Sequence, residues 1–186
     1  MLTKKRFLEV RDTYNGVRKS ASFMVIDKLK DYMQLIKFTL SLTVVFSSVI
    51  SYLLAPNITF NFLSVLLLFI GGLLITGSAN AINQMTEKDT DALMKRTAKR
   101  PVASGRMSVS EASAFAAISA IAGTLIIGYW FNWTSALLGL FSLFLYGFIY
   151  TPLKKVHSVS VLVGAISGAL PCLIGWVAAT GEMSAG

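Results

Sequence analysis

The sequence predicts an all-α fold, a polytopic bundle of transmembrane helices with five spans. Apolar residues make up 54% of the 186 residues, charged residues only 14%, and the mean hydropathy is +0.65. A soluble domain usually carries about a quarter charged residues. Continuous apolar runs without strict alternation favour helices over the strands of a membrane barrel.

The five predicted spans contain no charged residue, and most are long enough to cross about 30 Å of hydrocarbon. They cover residues 38–55, 60–82, 112–131, 134–151 and 159–180. Before the first span, residues 26–38 predict a helix that lies in the membrane interface, within an N-terminal segment formed by residues 1–37. The remaining residues, 38–186, form the transmembrane part of the chain.

The basic residues predict the orientation. Nine of the 17 precede the first span, six lie between Lys88 and Arg106, and two are Lys154 and Lys155, whereas the turns at residues 56–59 and 132–133 carry no charge. The positive-inside rule therefore places the N-terminus and both basic loops in the cytoplasm. We expect the inner (plasma) membrane of a cell. A mitochondrial inner membrane is less favoured, because the N-terminal segment carries acidic residues, which presequences avoid.

Composition also excludes several functions. The net charge of +8 is divided among three loops, whereas a nucleic-acid-binding protein concentrates its basic residues on one face of a folded domain. A single His157 and a single Cys172 exclude the common zinc sites. The spans lack the ionisable residues that transporters usually carry near the middle of the bilayer, which counts against a transporter.

The loop after the second span contains a candidate metal site. If the second helix continues past residue 82, Asn83, Glu87 and Asp91 follow one another at intervals of four and form one stripe. Two carboxylates and an amide oxygen are hard ligands that suit Mg²⁺, which prefers one or two carboxylates together with substrate phosphates. Asp89 falls on the opposite face, where it is interpreted as a solvated residue. Asn80, at the end of a membrane helix, is expected to face a cavity inside the bundle.

Basic residues follow the acids directly. Arg96 and Arg100 are again four residues apart, and Lys95 and Lys99 stand beside them. Guanidinium groups bind phosphate oxygens in pairs, so we expect a phosphate site on a helix that Pro101 ends. Acids for a metal and cations for a phosphate at the membrane face suit a lipid with a diphosphate head and an apolar tail.

The stretch NQMTEKDTDALMKRTAKRP resembles the first Asp-rich motif, N-D-x-x-D-x-x-x-D, of the UbiA superfamily of membrane prenyltransferases. Asn83, Glu87 and Asp91 fall on its asparagine and its last two acids, and Gln84 replaces its first aspartate. That replacement and the downstream D-A-L-M-x-R-T-x-x-R-P resemble the protoheme IX farnesyltransferase branch of the superfamily. The later stretches YTPLKK and GALPCLIGW resemble the same branch.

The resemblance implies transfer of a farnesyl group from farnesyl diphosphate to the vinyl group of heme B, which gives heme O, with Mg²⁺ as cofactor. It also implies Tyr150 and Lys154 as diphosphate contacts and heme A synthase as a partner, whereas a role of His157 as a heme ligand is less favoured. A quinone precursor or another aromatic acceptor remains the alternative. The superfamily has about nine transmembrane helices and a second Asp-rich motif, but the only acid after Glu111 is Glu182. We therefore expect this chain to be the N-terminal part of a longer protein, and to be inactive alone.

Overall fold

The computed structural model describes residues 24–183, and all regular elements in this range are helical. In chain order they are α1 (Met24–Leu35), α2 (Phe38–Leu53), α3 (Phe62–Thr86), α4 (Lys88–Leu93), α5 (Val109–Trp130), α6 (Trp133–Phe144), a π-helical segment (Leu145–Tyr150), α7 (Thr151–Leu153) and α8 (Ser160–Thr180). The segment from α6 to α7 runs as one rod over Trp133–Leu153.

The predicted all-helical transmembrane architecture is confirmed, with four or five candidate spans where the sequence predicts five. Four rods, α3, α5, the α6–α7 rod and α8, are each long and apolar enough to cross a membrane. A fifth span arises when α1 and α2, which meet at an angle of 53°, are counted together. The first predicted span corresponds to α2, which has only 16 residues and is shorter than a typical membrane helix.

Side-chain caps define where three of the helices begin. Asn61 accepts a hydrogen bond from the backbone N–H of Ser64 before α3, and Asn132 does the same for Ser135 before α6. Ser108 accepts from the backbone N–H of Glu111 and starts α5, as half of a capping box would. These polar residues satisfy backbone donors that would otherwise remain unpaired at a helix end.

Small residues bring the helix backbones close together. A Cβ atom on Gly123 of α5 would lie 2.8 Å from the backbone oxygen of Gly71 on α3, so only glycine permits this approach. Helices α2 and α8 meet as closely at Ser48 and Gly175. Membrane helices associate largely through such close packing, because lipid tails are as apolar as their side chains.

Helix α1 contacts the C-terminal end of α3 and the N-terminal end of α5, and its apolar side chains Met24, Val25, Ile26 and Leu29 are exposed. Its polar side is attached by ion pairs. Asp31 accepts a hydrogen bond from Arg106 Nε at 2.8 Å, and Lys28 Nζ lies 3.0 Å from Glu111. The predicted helix at residues 26–38 therefore exists, but it ends at Leu35, and residues 1–23 of the N-terminal segment lie outside the described residues.

Candidate diphosphate and metal site

The three predicted ligands lie together on the buried side of the C-terminal end of α3 and the start of α4. Asn83 is 0% exposed, Glu87 8% and Asp91 4%, whereas Asp89 is exposed. The backbone leaves helical angles at Glu87, with φ −99° and ψ 4°, and α4 starts directly after it. The register survives this break, because Glu87 N donates to Asn83 O at 3.0 Å and Asp91 N donates to Glu87 O at 2.7 Å.

Two cations from distant parts of the chain neutralise the carboxylates. Arg100 Nη1 lies 2.5 Å from Asp91 Oδ2 and 3.9 Å from Glu87 Oε2, and Lys154 Nζ lies 2.8 Å from Glu87 Oε1. Both carboxylate side chains are at most 10% exposed, so neither could remain ionised cheaply without these partners. Asn83 adds a hydrogen bond from Nδ2 to Glu87 Oε2 at 3.1 Å and one to the buried hydroxyl of Thr151.

The prediction that Arg96 and Arg100 lie on one face of a helix is wrong. Helix α4 ends at Leu93, and residues 94–107 form a series of turns. The hydroxyl of Thr97 donates to the carbonyl of Asp91 at 3.1 Å, which competes with continuation of the helix. Arg100 consequently folds back onto the acids, whereas Arg96 stays exposed.

The lysines predicted beside these arginines are also separate from the cluster. Within residues 24–183, no ion pair joins Lys95, Arg96 or Lys99 to an acid, and all three are exposed. The backbone carbonyl of Lys99 instead accepts a hydrogen bond from Arg106, which holds the turns in place. A role of these side chains in binding phosphate remains a prediction.

Lys37 belongs to the site, although the sequence analysis did not select it. It precedes the first span, and its Nζ donates to Asn83 Oδ1 at 2.8 Å. Burial lowers the pKa of Lys37 to about 8, and the positive charges of Arg100 and Lys154 act in the same direction. A lysine directly before an apolar run normally marks only the membrane interface, so the sequence contained no signal for this role.

An apolar cavity of about 570 Å³ opens next to the ionic cluster, between α2, α3, the α6–α7 rod and α8. Its polar lining includes Asn80, Tyr150 and Lys154, as the sequence predicts for Asn80. The ring of Tyr150 stacks on that of Tyr146 with centroids 5.4 Å apart, and Lys154 Nζ lies 5.5 Å from the centroid of Tyr150. Lys154 thus contacts Glu87 and lines the cavity, so that the two parts form one site.

The side chain of Asn80 contains a buried hydrogen-bond acceptor. The residue is 2% exposed, and its Oδ1 atom has no hydrogen-bond partner among the described residues. Leaving a buried acceptor unpaired costs about 1–3 kcal/mol of stability. The Oδ1 atom of Asn80 could therefore accept a hydrogen bond from a donor that binds in the cavity. His157, in contrast, is occupied locally, since its Nδ1 accepts from Val159 N at the start of α8.

The donor atoms fit a magnesium ion. Glu87 and Asp91 supply carboxylate oxygens, and Asn83 supplies an amide oxygen. Mg²⁺ uses one or two carboxylates and completes its shell with substrate phosphates and water, so it does not need a full protein cage. Within residues 24–183, no group of three or more His, Cys, Asp or Glu side chains is placed to hold a metal.

The family model described as "UbiA prenyltransferase family" matches residues 44–186. The chain belongs to this family. Among its relatives is the protoheme IX farnesyltransferase of Cytophaga hutchinsonii, 47% identical over 151 residues, a match that covers 81% of this chain and 53% of the relative. The protein of that name from Flavobacterium johnsoniae is 48% identical over 154 residues, which cover 82% of this chain and 51% of the relative. The mitochondrial protein of that name from Arabidopsis thaliana is 41% identical over 154 residues, 82% of this chain and 36% of the relative.

Solved structures confirm the UbiA fold. A structure of digeranylgeranylglyceryl phosphate synthase has a TM-score of 0.74 at 24% identity and covers 82% of this chain and 53% of that one. A UbiA homologue from Archaeoglobus fulgidus bound to GPP and Mg²⁺ has a TM-score of 0.70 at 18% identity, with coverages of 82% and 55%. The chain spans about half the length of the bacterial relatives and solved UbiA proteins that it matches.

Proposed function

We propose that the whole protein is a membrane prenyltransferase that transfers a farnesyl group from farnesyl diphosphate to the vinyl group of heme B and yields heme O. The observation that carries this proposal is the position of Lys154, which binds Glu87 and also lines the apolar cavity. A ligand that fills both parts must have an anionic head and a long apolar tail. The curated relatives named protoheme IX farnesyltransferase support the farnesyl donor and the heme acceptor.

The cations of the site bind and polarise the leaving group. Lys154 lines the cavity and Arg100 pairs with the adjacent carboxylates, so both charges lie near the place where negative charge would develop when the allylic C–O bond breaks. Asn83, Glu87 and Asp91 would hold Mg²⁺, which supplies further neutralisation of the diphosphate when bound. The bonding electron pair leaves with the diphosphate.

The cavity determines what happens to the carbon chain. Its volume of about 570 Å³ lies within the usual range for ligand pockets. Its mostly apolar lining would favour the isoprenoid chain over water next to a reactive allylic cation. The vinyl π-electrons of heme B form the new carbon–carbon bond, and water then adds to the resulting cation with loss of a proton. This route needs no nucleophilic side chain. The site accordingly combines charge compensation with an apolar compartment.

The finer parts of the proposal follow from the same assignment. We infer a cytoplasmic position for the ionic cluster, since the loops that surround it carry the basic residues. In bacteria this corresponds to the inner face of the plasma membrane. Heme O is an intermediate that an oxidising enzyme would take over, so heme A synthase is the expected partner.

The test uses membranes that contain a polypeptide of the relatives' full length, supplied with heme B, labelled farnesyl diphosphate and Mg²⁺. We expect labelled heme O, and we expect chelation of Mg²⁺ to abolish it. Glu87→Gln and Asp91→Asn should each lower kcat by about 100-fold or more, because charge stabilisation at a leaving group is worth that much. Asp89→Asn, an exposed neighbour on α4, is the matched control and should stay within about twofold of wild type.

Two results would contradict the proposal. Transfer of the label to a quinone precursor but never to heme B would replace the acceptor and leave the prenyltransferase assignment in place. Equal losses in the variants of residues 87, 89 and 91 would show that the buried face of α3 and α4 is not the metal-binding face.

A further inference from the structure

The connection between α1 and α2 has an unusual backbone. The two helices meet at 53°, and Lys37, between them, has φ 49° and ψ 57° in the left-handed region. A lysine is unfavourable in that conformation, because its Cβ approaches the carbonyl oxygen. Strain of this kind persists only where the surroundings fix the backbone, and it is frequent at functional sites.

Two amide side chains of α3 fix this connection. Gln84 Nε2 donates to the carbonyls of Gln34 and Leu35 at 2.8 and 3.1 Å, and Asn80 Nδ2 donates to the carbonyl of Ile36 at 3.0 Å. Asn80 and Gln84 are four residues apart and therefore lie on the same face of α3. The first Asp-rich motif has an aspartate at the position of Gln84. An ionised aspartate could not donate these hydrogen bonds, so the glutamine allows this position to hold the connection between α1 and α2.

The clamped connection directs the side chain of Lys37 to the ionic cluster. Its Nζ lies 2.8 Å from Oδ1 of Asn83, which is fully buried. Each of the three stripe residues therefore has its own cation: Lys37 for Asn83, Lys154 for Glu87, and Arg100 for Asp91. These cations come from three separate parts of the chain and converge on a single row of oxygens.

The net charge of the three cations and two carboxylates complements that of a magnesium–diphosphate complex. Three cations and two carboxylates leave the site with one net positive charge. A fully ionised prenyl diphosphate carries three negative charges and Mg²⁺ two positive ones, so their complex has one net negative charge. Without Lys37 the site would be neutral, and binding the complex would leave a charge uncompensated in a largely buried place, which is costly.

From this geometry we propose that Lys37 is a third diphosphate-binding residue, positioned by Asn80 and Gln84. If the amide oxygen of Asn83 held Mg²⁺, the ammonium of Lys37 would be released from Asn83 and could bind a phosphate oxygen of the diphosphate. A lysine suits this exchange, because its charge is compact and its four-carbon stem is flexible. The inference rests on the proposed function for the nature of the ligand, but it concerns the diphosphate alone and not the acceptor.

The experiment measures equilibrium binding of farnesyl thiolodiphosphate with Mg²⁺ to the full-length protein, and in parallel the KM for farnesyl diphosphate. Lys37→Gln retains a donor for Asn83 but has no charge. We expect it to raise both constants by about 10- to 100-fold, the usual weight of a hydrogen bond to a charged group. Lys37→Arg should recover most of the affinity. Lys30→Gln, an exposed lysine of α1, is the control and should bind as wild type does.

Wild-type affinity in a folded Lys37→Gln variant would overturn the inference. If that variant is not recovered as a monodisperse protein, Lys37→Arg and Lys37→Met are compared instead. A loss of affinity in the methionine variant alone supports a role for the charge of Lys37. Equal affinity in both variants contradicts it. The binding arm does not require heme. Tight binding of the analogue without any heme O formation would therefore refute the proposed acceptor and still decide on Lys37.

Discussion

Substituting Gly175 by alanine should separate α2 from α8. A Cβ atom at this position would lie 1.9 Å from the backbone oxygen of Ser48 and 2.8 Å from its carbonyl carbon. A carbon–oxygen contact normally needs about 3.3 Å, so the helices must move apart by about 1.4 Å. The obstacle is backbone and cannot rotate away. We therefore expect an overpacking cost of about 1–3 kcal/mol.

Gly168 offers a matched control on the same helix. A Cβ atom there has no neighbour within 4 Å, because the position faces the cavity. Gly168→Ala should be neutral or stabilising by up to about 1 kcal/mol, since alanine is the better helix former. The two variants add the same methyl group to α8, so their difference isolates the contact with α2.

The assay heats detergent-solubilised variants and follows the monodisperse fraction by fluorescence-detected size-exclusion chromatography. We expect Gly175→Ala to lose its native peak on the order of 5–10 °C below Gly168→Ala. Ser48 lines the cavity, so the displaced α2 should also weaken binding of a prenyl diphosphate analogue. Equal melting of the two variants would refute the close approach of α2 and α8 described above.

Three further predictions concern the orientation of the loops, the role of Arg100 and the attachment of α1. Ser104→Cys should react with a membrane-impermeant maleimide only after cells are opened, whereas Asn57→Cys should react from outside, and labelling of position 104 in intact cells would reverse the assigned orientation. Arg100→Lys should reduce farnesyl transfer at least tenfold, because a lysine cannot span both carboxylates, and Arg96→Lys, on the exposed side, should change it much less. The ion pair between Lys28 and Glu111 joins α1 to the first turn of α5, so Glu111→Gln should weaken the attachment of α1 to the bundle. Amide exchange in α1 should accelerate in that variant, and an unchanged exchange rate would show that the pair does not hold α1.

Much of the fold could be predicted because each feature depends on local chemistry. Apolar runs without charge predicted the spans, although the caps that start α3 and α6 became visible only in the structure. The four-residue spacing of Asn83, Glu87 and Asp91 predicted which side of the helix they share. The prediction survived the break at Glu87, since the backbone hydrogen bonds preserve the register across it.

The basic half of the site depended on contacts that spacing does not contain. Arg96 and Arg100 are equivalent in a sequence pattern, but a single hydroxyl, that of Thr97, helps to end the helix between the acids and the arginines. The turns that follow direct Arg100 inward and leave Arg96 outside. A local rule for helical spacing fails wherever a side chain offers the backbone an alternative partner.

By itself the sequence determined the class of protein, its apolar helical spans and the shared face of the row of acids. Only the tertiary structure decided which cations meet those acids. Lys37, Arg100 and Lys154 are far apart in the chain, and each reaches the cluster because a connection or a helix end is held by long-range hydrogen bonds and packing. Apolar patterning and capping act over a few residues and can be read along the chain. Which cations approach a given acid depends on distances through space, and these distances are set only when the helices have packed.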